Sequence, residues 1–217
     1  MASTRSQRTA LLVIGLLGAI AIGFALGVLT RFGFHDDPAP APGPVDVGFA
    51  QDMSVHHNQA VEMAGMALIR SEDVAVKTLA YDILTTQQNQ VGQMQGWLTL
   101  WDKPTLPTGQ FMTWMKAEHG NHGSMPTGAV DKMPGMATPD DLAQLRQATG
   151  RDFDVRFLSL MLRHHQGGLA MAEYAATQAE TDVVRRLADT VVKTQTSEAQ
   201  LLTRMLGERG GKPLPMN

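Results

Sequence analysis

DVGFAQDMSVHHNQAVEMA, residues 46–64, returns at an offset of 108 residues as DVRFLSLMLRHHQGGLAMA, residues 154–172. Extended without a gap, the match covers residues 46–98 and 154–206, with 16 of 53 positions identical. The identities include Asp46/Asp154, Phe49/Phe157, Met53/Met161, His56/His164, His57/His165, Met63/Met171 and Gln87/Gln195. A gap-free self-match of this length predicts two copies of one structural unit. Within each copy, apolar residues recur at three- and four-residue steps and alternating β-branched runs are absent, so each copy reads as helical. The first helix is expected over about Val47 to Arg70, a turn near Ser71 to Asp73, and a second helix over about Glu72 to Leu100. Two such hairpins predict an all-α four-helix bundle with the repeats related by a pseudo-twofold axis.

Helical geometry turns the repeated string into a face. At 100° per residue, Phe49, Met53, His56, His57, Ala60 and Met63 fall within an arc of about 120°, as do Phe157, Met161, His164, His165, Gly168 and Met171. Each first helix therefore carries two imidazoles and two thioethers on the stripe that faces the core. Imidazole suits copper, zinc and iron, and added thioether shifts the preference to Cu(I), although another transition metal fits the same donors. The competing reading is structural: adjacent histidines on a helix are commonly a hydrogen-bonded, half-buried pair, and methionine is a flexible core filler. Retention of all four donor positions in both copies, where most neighbours differ, favours metal ligation by Met53, His56, His57, Met63, Met161, His164, His165 and Met171.

The second helix of each hairpin turns Gln87, Gln195 and Glu198 inward, where buried amides and carboxylates need partners. They are expected to orient the imidazoles by hydrogen bonds, with interhelical structural bonds as the alternative. The connector, residues 99–153, differs from both repeats. It offers a short helix near Phe111 to Glu118 and a further set of metal donors in His119, His122, Met125, Met133 and Met136, set among glycines. A solvated loop with incidental methionines is the alternative there. Thr138-Pro139-Asp140-Asp141 reads as a helix start, with Thr as N-cap and Pro in the first turn, and Gly150 as the end of that helix.

Residues 1–9 carry Arg5 and Arg8, and residues 10–30 are an uncharged apolar run followed by Arg31. About 20 apolar residues match the hydrocarbon core of a bilayer. The stretch Ala25 to Arg31 offers no convincing small-x-small cleavage site, so an uncleaved signal anchor is expected rather than a cleaved leader. The arginines before it place the N-terminus in the cytoplasm and the domain outside. A single-pass protein at the cell membrane follows, with a Pro-rich spacer over residues 31–45, the bundle over 46–207 and a C-terminal tail over 208–217.

Composition closes several routes. The chain of 217 residues has a formal net charge of −3 and 18% charged residues, which gives no basic field for nucleic acid. It has no cysteine and 14 methionines, so any soft ligand must be a thioether. There is no Glu-x-x-His pair for a di-iron carboxylate centre, no His-Glu-x-x-His, no phosphate loop and no Gly-x-Ser-x-Gly elbow. Binding rather than catalysis is expected, and copper redox catalysis is the remaining enzymatic alternative.

The pattern Asp-x-x-Phe-x-x-x-Met-x-x-His-His-x-x-Ala-x-x-Met-Ala, with the connector phrase MPGMATPDDLAQLRQATG at residues 133–150, resembles the bacterial family called domain of unknown function 305. The resemblance covers about residues 46 to 207. It implies a ferritin-like four-helix bundle and, for some members, Met/His-rich extracytoplasmic copper binding. Carried over by position, it points to the same eight donors, with Met133 and Met136 as adjuncts. Gln90 stands where the family usually has Glu, and Gly168 where it usually has Ala, so the two halves are electrostatically unequal. The expected function is copper storage, tolerance or delivery, with a copper transporter or another membrane complex as partner and homo-oligomers compatible with the pattern. A metal-free interaction module beside a membrane complex is the rival.

Overall fold

The computed structural model describes residues 3–33, 41–116 and 128–217. Among them the chain is helical: α1 Ser3–Gly33, α2 Pro44–Arg70, α3 Val74–Leu100, α4 Pro139–Gln147, α5 Gly150–Gln178 and α6 Asp182–Glu208. They fall into two units, Met1–Pro40 and Ala41–Asn217. In the first, the 21-residue segment Thr9–Leu29 of α1 is long and apolar enough to cross a membrane. Its side chains, Leu12 and Phe24 among them, are exposed around the helix rather than gathered into a core.

In the second unit, α2 pairs with α3 and α5 with α6, and the two hairpins meet through α2 and α5. Asp46 and Asp154, retained at the repeat's first position, explain how they meet. Asp46, at the start of α2, reaches the turn between α5 and α6: its Oδ1 accepts from Thr181 N at 3.0 Å and from the Thr181 hydroxyl, and its Oδ2 accepts from Glu180 N at 3.1 Å. Asp154, near the start of α5, reaches the turn between α2 and α3, where its Oδ1 accepts from Ser71 Oγ at 2.6 Å. Each first helix thus latches onto the opposite hairpin's turn, which sets α2 and α5 antiparallel and gives the pseudo-twofold axis. The helix ends follow local chemistry. Pro44 opens α2, Asp73 caps α3 through Ala75 N and Val76 N, and Thr138 and Asp141 form a reciprocal capping box on α4.

Two connector expectations are corrected. The described part of the expected helix at Phe111 to Glu118 is an isolated antiparallel bridge, Phe111 to Val130, followed by turns. Asp52 on α2 anchors it there: its Oδ2 accepts from Met112 N at 2.7 Å and from Trp114 Nε1 at 2.8 Å, so the backbone turns towards the bundle instead of coiling on itself. Gly150 does not end α4. Ala148 caps that helix, while Gly150, with φ +55°, opens α5.

The core has two apolar clusters. One contains Met63, Ala64, Phe153, Phe157 and Met161, with Leu145 from α4. The other contains Met53, Met94, Met171 and Val191, with Met112, Met115 and Met133 from the connector. The antiparallel register explains the division, since Met53 shares an end with Met171 and Met63 with Met161. The histidines lie between those positions along both helices.

Candidate metal centre

His56, His57, His164 and His165 are all fully buried, at 0% exposure. Their positions midway along two antiparallel helices bring His56 and His164 face to face, with ring centroids 3.8 Å apart and planes 36° from parallel. His165 adjoins His164 at 6.4 Å between centroids. The rings share one hydrogen-bonding habit. His56 Nε2–H donates to the Pro134 carbonyl at 3.2 Å, and His164 Nε2–H donates to the His56 carbonyl at 2.9 Å. His57 Nε2–H donates to Gln90 Oε1 and His165 Nε2–H to Glu198 Oε2, each at 2.7 Å. Every Nε2 is thereby committed as a donor. All four Nδ1 atoms are buried without a hydrogen-bond partner.

Burial explains the protonation state. It lowers His56 to about 4, aided by repulsion from His165 and opposed by the bond to Pro134. His57 falls to about 3, again chiefly through burial and then through repulsion from His56. His164 lies well below the ordinary range for the same reasons. Desolvation disfavours imidazolium, and each ring's neighbours would be cations too if protonated. At neutral pH these three rings are neutral, with the proton on Nε2 and a lone pair on Nδ1. Buried acceptors without donors are rare, and these are the atom type that binds a soft or borderline metal ion.

On the same two helices, Met53, Met63, Met161 and Met171 are fully buried. Met133 is buried in the same cluster as Met53 and Met171, and Met136 packs against that cluster from a partly exposed position. His119, His122 and Met125 lie outside the described residues. Of the three residues expected to orient the imidazoles, Glu198 does so at His165. Gln87 and Gln195 are buried with both amide atoms unpartnered, and make no bond to a ring. The corresponding role at His57 belongs to Gln90, which sits at the same offset from Glu198 as His57 from His165. That register was the signal in the sequence. Among the described residues, no three His, Asp or Glu side chains form a ready-made metal-binding group, so a metal here would need the thioethers or a small rotation of the rings.

The connector supplies one wall. Pro134 reaches His56 because Gly135 and Gly167 allow backbone to lie on backbone: a Cβ on Gly135, at φ +78°, would fall 2.5 Å from the Arg163 carbonyl, and one on Gly167 would fall 2.3 Å from the Pro134 carbonyl. Beside it, Arg163 is buried and pairs with Asp141 at 2.7 Å. Neither the Pro134 carbonyl nor the two glycines carries a metal-ligand signature in the sequence.

This arrangement can be compared with known proteins. A DUF305 protein from Streptomyces coelicolor is 42% identical, with 79% of this chain and 97% of that one covered and a TM-score of 0.70. A DUF305 fragment from Deinococcus radiodurans is 32% identical over 78% and 99% of the two chains, with a TM-score of 0.63. CopM in its Cu(I)-bound form is 25% identical over 76% and 98%, with a TM-score of 0.57. A search of proteins with curated descriptions finds no match. The model of the domain of unknown function DUF305 matches residues 46–206, the two hairpins and the connector together, and the chain belongs to that family.

Proposed function

We propose that this protein is a membrane-anchored, extracytoplasmic copper-binding protein. It takes up Cu(I) between α2 and α5 on His56, His57, His164 and His165, with thioethers from Met53, Met63, Met161 and Met171, and serves copper storage, tolerance or delivery rather than catalysis. The observation that carries the reading is the set of four buried Nδ1 atoms without partners, on rings whose other nitrogen is already committed. Copper is cargo in this reading. The chain's contribution is to hold each ring by its Nε2–H, to keep water out, and to present neutral nitrogen and sulfur donors that prefer a soft ion. Because burial lowers the proton affinity of His56, His57 and His164, protons compete weakly with the metal even in mildly acidic surroundings.

The similarity to CopM, described in Cu(I)-bound and Cu(II)-bound forms, supports the choice of metal. The provisional description of the Streptomyces coelicolor protein as secreted supports an extracytoplasmic domain, and the Thr9–Leu29 segment supports the anchor. The metal-free reading, an interaction module beside a membrane partner, draws on the lack of a ready-made three-residue group among the described residues.

Anaerobic Cu(I) titration of the full-length protein in detergent, against a chromophoric chelator, separates the two. Wild type should retain copper. The variant carrying H56A, H57A, H164A and H165A should release it. The variant carrying M53L, M63L, M161L and M171L, which conserves core volume, should hold it more weakly while keeping its helical circular dichroism. Retention by both variants at the wild-type level would sink the copper site. Protease accessibility of the bundle in spheroplasts, with α1 intact in the membrane fraction, tests the topology.

A further inference from the structure

The proposal developed here rests on the copper reading and concerns how many ions the site holds. The pseudo-twofold axis maps His57 onto His165 and the hydrogen-bond acceptor of the one onto that of the other: Gln90 Oε1 and Glu198 Oε2 stand at the same 2.7 Å from their respective Nε2 atoms. The geometry is equal and the charge is not. Glu198 is a carboxylate with 15% of its side chain exposed, so it meets the buried ring while one edge reaches water. Gln90 is neutral. The residues lining the cleft beside Gln90, between α3 and α6, include Asn89, Gln93 and Thr190 and are uncharged except for Arg186, a cation. Asp52, buried on α2, is engaged with Trp114 and Met112, and the partly exposed Asp141 with Arg163.

Neutral imidazoles and thioethers leave a bound Cu(I) with its full positive charge inside a low-dielectric interior. A carboxylate on the far nitrogen of a ligating histidine answers that charge and strengthens the near nitrogen as a donor. One end of this site has that partner, and the other does not. We propose that the protein holds one Cu(I) tightly at the His165 end, with Glu198 as counter-charge and positioning residue, and a second ion at the His57 end about 10–100-fold more weakly, the usual cost of losing such a partner.

The test is a Cu(I) competition titration of the full-length protein in detergent, with thermal unfolding of each variant as a check on folding. Wild type should show one tight equivalent. E198Q should weaken that equivalent by about 10–100-fold. Q90E should add a second tight equivalent. The decisive variant is the swap, Q90E with E198Q: it should keep one tight equivalent but transfer its dependence, so that adding H57A abolishes it and adding H165A does not. A merely structural role for Glu198 would not move the essential histidine from one helix to the other. Two equal tight equivalents in wild type, an unchanged tight equivalent in E198Q, or a swapped variant that still requires His165 would each overturn the proposal while leaving the copper reading intact. Absence of binding by wild type would overturn the copper reading itself, and this proposal with it.

Discussion

The two repeats share their helices, latches and histidines, and differ in what surrounds each histidine. In the first repeat His56 is held by the connector's Pro134 and His57 by a neutral amide; in the second, His164 is held by the His56 carbonyl and His165 by a carboxylate. The two copies keep their imidazoles and differ in the groups that hold them. The connector packs against both first helices but accepts from the ring of His56 alone, so His56 and His164 are not equivalent even where the chain repeats. Symmetry of sequence therefore specifies the fold, and departures from it specify the site.

The largest expected effect tests whether His56, His57 and His164 are buried and neutral together. In the unfolded chain a histidine titrates near 6.5. The folded values of His56 and His57 are about 4 and about 3, and that of His164 is well below the ordinary one. Below pH 6.5 the unfolded chain binds protons that the folded one refuses, so stability falls as the pH falls. It is unaffected by these groups above about pH 7. Each histidine contributes a slope of about 1.4 kcal/mol per pH unit, and three give on the order of 4 kcal/mol per unit at most. Metal-free protein should lose much of its stability between pH 6.5 and pH 5, measured by urea denaturation across that range. Q90E should make the limb shallower, because it places a carboxylate where a protonated His57 would be paired. A flat profile down to pH 4 would mean that the rings are not buried and neutral.

The latches give the next effect and a direct contrast between halves. Asp46 accepts from Glu180 N, Thr181 N and the Thr181 hydroxyl, and from Gly43 N as well, whereas Asp154 accepts from Ser71 Oγ. Removing an acceptor leaves buried donors unsatisfied at about 1–3 kcal/mol each when water cannot replace it. D46A should cost about 3 kcal/mol and D154A about 1 kcal/mol in chemical denaturation. Equal losses would mean that the turn between α5 and α6 stands without its latch.

Much of the fold was legible because it rests on local periodicity and on a repeat. The α2–α3 and α5–α6 hairpins follow from the spacing of apolar residues, and the start of α4 follows from Thr138 and Pro139. The connector was less legible. Phe111 to Lys116 has the composition of a short helix, but Asp52, roughly sixty positions away in sequence, accepts the Met112 N–H and holds the segment in a turn. No local pattern encodes that bond. The site divides in the same way. Its histidines and methionines were readable as one helix face, and Glu198 as an inward carboxylate. Gln87 and Gln195 were not readable as unbonded, because their inward direction is a matter of helical phase, whereas meeting a ring depends on the rise along a neighbouring helix. Gln90 lies three residues beyond Gln87, nearly one turn, and it is the amide at the height of His57.

The smallest contrast lies where the two helices are closest. Antiparallel packing sets His56 beside Gly168, and the pseudo-twofold axis maps that pair onto His164 and Ala60. A Cβ on Gly168 would fall 3.0 Å from Gln195 Oε1 and 3.1 Å from His56 Cε1, a tight approach that both side chains must relieve by small shifts. Against this, glycine within a helix is about 1 kcal/mol less favourable than alanine. Gln195 has no hydrogen bond to lose when it moves, so the two terms nearly cancel, and G168A should change stability by less than about 0.5 kcal/mol. A60G has no such compensation and should cost about 1 kcal/mol. The two variants separate more clearly at the rings. G168A should shift the His56 and His164 imidazole resonances in the NMR spectrum of metal-free protein, because it tilts one ring of the 3.8 Å stack, and A60G should leave His56 near its wild-type position. If G168A instead stabilises the bundle by the full helix-propensity difference and leaves both resonances in place, His56 does not rest on Gly168, and the close approach that distinguishes the two halves is lost.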